Sequence, residues 1–203
     1  MRLFPKESRP RPRSAHNPAL DLRVQRWRVP LGFLAAAVLL LAAHPRPLSL
    51  ALGLPLAACG LALRAAAAGH IRKNDALATS GPYRYTRNPL YLGSAILAVG
   101  LIAAAGVWWL ALLALALLGG VYLPVIRREE QFLAARFGAD FAAYAARVPR
   151  LLPRWPAPLP AAAAPAGRFS LALYLRHREY QALLGFLALS AVLVLKWRLA
   201  WLW

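Results

Sequence analysis

The chain has 203 residues, 60% of them apolar, with 25 Lys and Arg against seven Asp and Glu and a formal charge of +18. Its apolar residues gather into long uncharged runs, which a soluble domain of this size does not do. A charge of this size can bind nucleic acid, but it clusters at the ends of the apolar runs. That placement argues against nucleic acid and reads as a topology signal with an attraction to anionic headgroups.

In chain order, residues 1–28 form a basic tail, whose first 22 residues are rich in Pro and Arg and are expected to be disordered. Its prolines and charges leave no apolar signal core, so the first run is expected to direct insertion itself. The runs are Val29–Ala43, Leu48–Leu63, Leu90–Val107, Trp108–Ile126 and Ala182–Leu195. At about 1.5 Å per residue and a hydrocarbon core of about 30 Å, the third and fourth span alone. The others must borrow flanking residues, such as Arg64–Ala68 after the second. His44-Pro45-Arg46-Pro47 turns the first hairpin, and the second turns near Gly106–Trp109, with Trp108 and Trp109 at an interface.

Leu133, Phe137, Phe141, Tyr144 and Val148 then recur at helical spacing, as in an amphipathic helix that Gly138 can bend. Pro156–Gly167 is an Ala/Pro linker. The expected architecture is all-α, a polytopic membrane protein of about five transmembrane helices with a cytoplasmic amphipathic helix. A core occupies 29–153, a linker and cytoplasmic segment 154–181, and a last transmembrane helix 182–203.

Positive charge sets the orientation. Eight basic residues precede the first run, Arg72, Lys73, Arg84 and Arg87 lie between the second and third, and nine arginines lie from Arg127 to Arg178. The opposite turns hold only Arg46, so the N-terminus is expected to be cytoplasmic, with Lys196 and Arg198 counting against the rule. Cys59 is alone, which leaves no intramolecular disulfide or thiolate zinc site, and reads as a small buried apolar residue. The four histidines (His16, His44, His70, His177) lack ligand spacing and read as loop or interface residues, so no metal is expected.

Gly81-Pro82-Tyr83-Arg84-Tyr85-Thr86-Arg87-Asn88-Pro89-Leu90-Tyr91-Leu92-Gly93 enters one apolar hairpin, whose far end delivers Arg127-Arg128-Glu129-Glu130. Asn88-Pro89 has the form of an N-cap followed by a first helical residue. The same helix start offers backbone N–H groups to an anion such as a carboxylate. Tyr83, Tyr85 and Tyr91 fit interfacial anchors or aromatic faces for a cation. Glu129 and Glu130 either form an ion cluster with Arg127 and Arg128 or hold a ligand's ammonium or hydroxyls. Arg64 is expected to snorkel from the end of the second run.

These pieces, with Phe137-Gly138, Tyr144 and Arg147-Val148-Pro149, resemble the isoprenylcysteine carboxyl methyltransferase and phospholipid methyltransferase family over roughly 69–153. The resemblance implies a membrane enzyme that binds S-adenosylmethionine. The implied cofactor contacts are Asp75, Ala76, Leu77, Ala78, Tyr83, Asn88, Pro89, Leu90, Tyr91 and Glu129, with the 75–78 strip matched by distance alone. Asn88 stands where the family usually carries histidine. Val125 stands where the eukaryotic enzymes carry a substrate-contacting arginine, which leaves Arg127 and Arg128 as the expected substrate contacts.

Methyl transfer from a sulfonium is an in-line displacement in which the protein supplies positioning and a water-poor site. With no evident His, Asp or Lys base, the acceptor is expected to arrive nucleophilic, as a lipid-like or small hydrophobic molecule delivered from the membrane. Rival readings are an NADPH-dependent sterol or enone reductase, whose Asn-Pro-x-Tyr-x-Gly segment is similar, and a non-catalytic membrane scaffold.

Overall fold

The computed structural model describes residues 34–71, 76–158 and 168–200. Residues 34–42 are helical (α1), followed by α2 (Pro47–Ala68), a 3-10 turn (Gly81–Arg84), α3 (Pro89–Ala105) and α4 (Leu110–Leu117). A π turn (Leu118–Tyr122), α5 (Leu123–Phe137), α6 (Ala139–Arg147), α7 (Leu171–Arg176) and α8 (Tyr180–Ala200) complete the order. No strand occurs among the described residues, in line with the all-α expectation. The basic tail and most of the Ala/Pro linker lie outside them. By length and composition α2 and α8 can cross a membrane, and α3 is a shorter apolar helix of 17 residues. As expected, α2 continues past Leu63 through Arg64 to Ala68.

The antiparallel pair α2 and α3 is the centre of the molecule, and small residues make it so. Gly53, Ala57 and Gly60 on α2 face Gly93, Gly100 and Ala104 on α3. A Cβ on Gly53 would lie 2.2 Å from the Ala104 nitrogen, and one on Gly100 would lie 2.3 Å from the Ala57 nitrogen. The two backbones are therefore in contact. Between helices in lipid there is little hydrophobic gain, so close van der Waals packing supplies the attraction. Cys59 corrects an expectation: it is exposed, because it sits about 100° around α2 from the Gly60 seam position.

At one end of the pair the two hairpin turns lock together. The His44 N–H donates to Ala105 O at 2.8 Å, and Ser49 Oγ donates to Ala104 O at 3.0 Å. Gly106 ends α3 at φ 71, and a Cβ there would lie 2.6 Å from His44 O, so only glycine fits both the backbone and the space. Trp108 and Trp109 are exposed beside it. Helix α8 lays Leu193 into the same apolar core. Lys196, an exception to the charge rule, has a local role here: its ammonium donates to Leu40 O and Ala43 O at 2.8 and 2.9 Å. It thereby satisfies carbonyls at the end of α1.

The chain is continuously helical from Leu110 to Phe137, with five residues in a π turn. Pro124 has no N–H for the Gly120 carbonyl and its ring crowds that turn, which the wider π geometry relieves. Gly138, at φ 51 and ψ −120, then stops α5 outright. The expected single amphipathic helix is thus two, α5's end and α6. Its stripe is nonetheless one cluster, with Phe141, Tyr144 and Val148 packed on Leu133, Phe137 and Leu77.

Candidate active site at the signature turn

Opposite the locked turns, the segment after α6 runs along the signature. Val148 is extended before Pro149, as a residue preceding proline must be. The Arg87 N–H donates to Pro149 O at 2.9 Å, Thr86 Oγ1 donates to Leu151 O at 2.9 Å, and the Arg154 N–H donates to Tyr85 O at 3.1 Å. The Tyr144 hydroxyl donates to Tyr83 O at 2.8 Å, and the Tyr85 and Trp155 rings stack at 5.3 Å. Residues 83–88 are therefore held on both sides, by α3 and by the 149–155 strap.

Glu130 is the pivot of that attachment. It is buried, Arg150 Nε donates to its Oε2 at 2.9 Å, and Arg87 Nε lies 3.3 Å from its Oε1. These partners overturn one of the two readings of the pair, the ion cluster, since Arg127 and Arg128 are exposed and form no ion pair with either glutamate among the described residues. Arg128 lies about 200° around α5 from Glu130, whereas the strap delivers Arg150 to it. Asn88 corrects a second expectation. Its side chain makes no cap hydrogen bond to α3. Nδ2 donates instead to Arg150 O at 2.9 Å and to Glu130 Oε1 at 3.4 Å.

Asn88→Ser is accordingly expected to be far from silent. A serine hydroxyl is too short to span to both acceptors, and the loss of buried hydrogen bonds should lower stability by about 1–3 kcal/mol. Thermal unfolding in detergent would check it. A variant as stable as wild type would mean that these contacts carry nothing.

Glu129, one residue earlier, points elsewhere. The Tyr91 hydroxyl donates to Glu129 Oε2 at 3.1 Å, and the Tyr91 ring meets Tyr122 edge-on at 5.7 Å. Tyr122 closes the π turn, so the extra residue in that turn sets the rotational phase that turns both Tyr122 and Glu129 towards α3. Tyr83 is buried on the 3-10 turn, and its phenol is pushed well above the ordinary range by burial, then by Glu129, with Tyr144, Glu179 and Tyr91 adding. Burial likewise raises the Tyr144 phenol. Both are neutral hydrogen-bonding groups and neither is a base at neutral pH.

The structure thus brings Tyr83, Asn88, Tyr91 and Glu129 to one end of the bundle, with Pro89 buried and Leu90 half-buried between them. Leu77 joins the α6 cluster, Ala78 is half-buried and Ala76 is exposed. Asp75 lies outside the described residues. Sequence reasoning missed Arg150, Glu179 and the reach of Arg64. Arg64 does not snorkel alone: its Nη2 donates to both carboxylate oxygens of Glu179 at 2.9 Å, and its Nη1 donates to Ser94 Oγ. An unpaired arginine near a span end was the available signal, but no spacing names a partner 115 residues away. Beside the stacked Tyr85 and Trp155, an apolar cleft of about 220 Å³ opens between Leu63, Leu92, Pro82 and Pro153.

The segment that holds the signature turn and the glutamate pair is also matched by a known family. Residues 48–140 match the phospholipid methyltransferase family. The family expected from the signature is therefore the one found, and the matched segment contains α2, α3 and the glutamate pair. The cobalt-zinc-cadmium resistance protein CzcN of Cupriavidus metallidurans is 39% identical over 144 residues, 65% of this chain and 64% of the relative. The nickel-cobalt-cadmium resistance protein NccN of Alcaligenes xylosoxydans xylosoxydans is 39% identical over 83 residues, 41% of this chain and 38% of that protein. The chain thus spans less than two thirds of the length of either relative. No solved structure matches it. The matched segment and the two candidate spans support association with a membrane.

Proposed function

We propose that the chain is an integral membrane methyltransferase that moves a methyl group from S-adenosylmethionine to a lipid-like or small hydrophobic acceptor. The observation that carries this reading is the Tyr91–Glu129 hydrogen bond, which joins the signature helix to the carboxylate helix at one site.

The residues present fit the cofactor. Because the Asn88 side chain is turned away, the first turn of α3 has no side-chain cap, and its N–H groups suit the methionyl carboxylate. Glu129 is exposed and suits the ammonium or the ribose hydroxyls. The Tyr83, Tyr91 and Tyr122 rings offer faces to a sulfonium cation. Ala76 and Ala78, with Leu77 behind them in the α6 cluster, would line the connector side. When bound, the cofactor supplies an electrophilic methyl group on that sulfonium. The chain's own task is to orient and to exclude water. Tyr83 and Tyr144 keep their protons, so the acceptor must bring its own nucleophile, with Arg127 and Arg128 as its expected contacts. The apolar cleft at Leu63 and Leu92 suits the tail of an acceptor that arrives from the bilayer.

On this reading the chain has about five spans, with its N-terminus and site cytoplasmic, which the arginine asymmetry supports. The relatives are named for resistance to metals, and this chain is proposed to act in a similar setting, by methylating a membrane component. Membranes containing the chain, given S-adenosylmethionine with a tritiated methyl group, should transfer label to an organic-extractable fraction. Membranes containing Glu129→Gln should transfer much less. No label above background from the folded wild type would overturn the reading.

A further inference from the structure

Glu179 lies outside the segment that matches the family and outside every residue that the signature suggests. It sits just before α8, with its side chain 12% exposed, and takes the Arg64 guanidinium through both carboxylate oxygens. Arg64 is fixed from the other side by Ser94, whose hydroxyl donates to Leu90 O at 2.8 Å. Leu90 and Ser94 belong to the first two turns of α3, the helix that presents Tyr91. The Arg64 stem crosses α3 at Gly93, where a Cβ would lie 2.8 Å from Arg64 Cγ. Gly93 thus lets the stem pass, and the guanidinium is held at Ser94, one turn along α3 from Tyr91. That Tyr83 feels both Glu129 and Glu179 puts the two carboxylates in electrostatic reach of one phenol.

A guanidinium beside a cation site is a liability. At an effective dielectric near a protein surface, one bare positive charge nearby weakens the binding of a second by about tenfold. On the reading that the site holds a sulfonium, we propose that Glu179 is a specificity-determining residue. By neutralising Arg64, it removes a positive charge that would oppose the Glu129 carboxylate, so that a cationic sulfonium is bound in preference to its neutral thioether product. The C-terminal helices thus complete the electrostatics of a site built by α2, α3 and α5. They do so while fastened to the core by Lys196 at one end and Glu179 at the other.

The test is the ratio of the dissociation constants of S-adenosylhomocysteine and S-adenosylmethionine, measured on purified full-length protein in detergent. Glu179→Gln bares Arg64 and should lower the preference for the sulfonium about tenfold. Arg64→Gln bares Glu179 instead and should raise it. Joining both substitutions should return the ratio to near the wild-type value. A mere fastener predicts something else: both ligands lose affinity together, and the two single variants move the same way. Either that pattern or an unchanged ratio overturns the proposal while leaving the methyltransferase reading intact. Should Glu179→Gln not fold, Arg64→Gln decides alone by the sign of its change. Wild-type protein that binds neither ligand would instead remove the methyltransferase reading, and this inference with it.

Discussion

Glu130→Gln is expected to cost about 3–5 kcal/mol of stability, the scale of removing one partner from a buried ionic cluster. The carboxylate is buried and serves three groups at once: Arg87, Arg150 and the Asn88 amide. Its loss strands Arg87, whose side chain is 13% exposed, while the more open Arg150 can turn to water. The strap would lose its hold on the signature, and the signature its shape. Glu129→Gln removes a carboxylate from an exposed position and should leave stability within about 0.5 kcal/mol. Unfolding of the two variants side by side separates the roles of two adjacent glutamates. Equal losses would contradict the division of labour drawn from their contacts.

Gly100→Val should be of similar severity, about 3 kcal/mol or more, for a different reason. The new Cβ would be driven into the Ala57 backbone, with its nitrogen at 2.3 Å and its Cα at 2.6 Å. A backbone cannot rotate aside as a side chain can, so α2 and α3 must part and expose the seam along Gly53, Gly60 and Gly93. Gly185 on α8 is the control, because nothing lies within 4 Å of its Cβ position. Gly185→Ala should be neutral or stabilising by up to about 1 kcal/mol, since alanine favours the helix. Helix content and resistance to thermal aggregation would report both. A tolerated valine at 100 would mean that the two helices are not in backbone contact.

Much of this architecture was legible because membrane helices obey simple rules of length, charge and breaker residues. Arg64–Ala68 extend α2 as the length of a span requires, and Gly106 closes the second hairpin with a positive φ. The seam itself was legible and unread: Gly53, Ala57, Gly60, Gly93, Gly100 and Ala104 have the small-residue spacing of a tight helix pair. The signature and the glutamate pair pointed to the site because one apolar hairpin must return its two ends to the same surface. What the sequence could not show is the choice between neighbours. Glu129 and Glu130 differ by about 100° of helix rotation, and the π turn at Leu118–Tyr122 sets where that rotation starts. Asn88 has the composition of a cap, yet the strap offers it a carbonyl and a carboxylate, and those win. The partner of Arg64 comes from the far end of the chain, where no periodicity reaches.

The proposed enzyme rests on one ligand reaching one end of the bundle, and equilibrium binding of S-adenosylmethionine to the purified chain in detergent tests that most directly. Saturable binding is expected, weakened about ten- to a hundredfold in Glu129→Gln, the scale of one charge-assisted hydrogen bond, with thermal stability unchanged. Folded wild-type protein that shows no saturable binding, or a Glu129→Gln variant that binds as well as wild type, would contradict the account of this site.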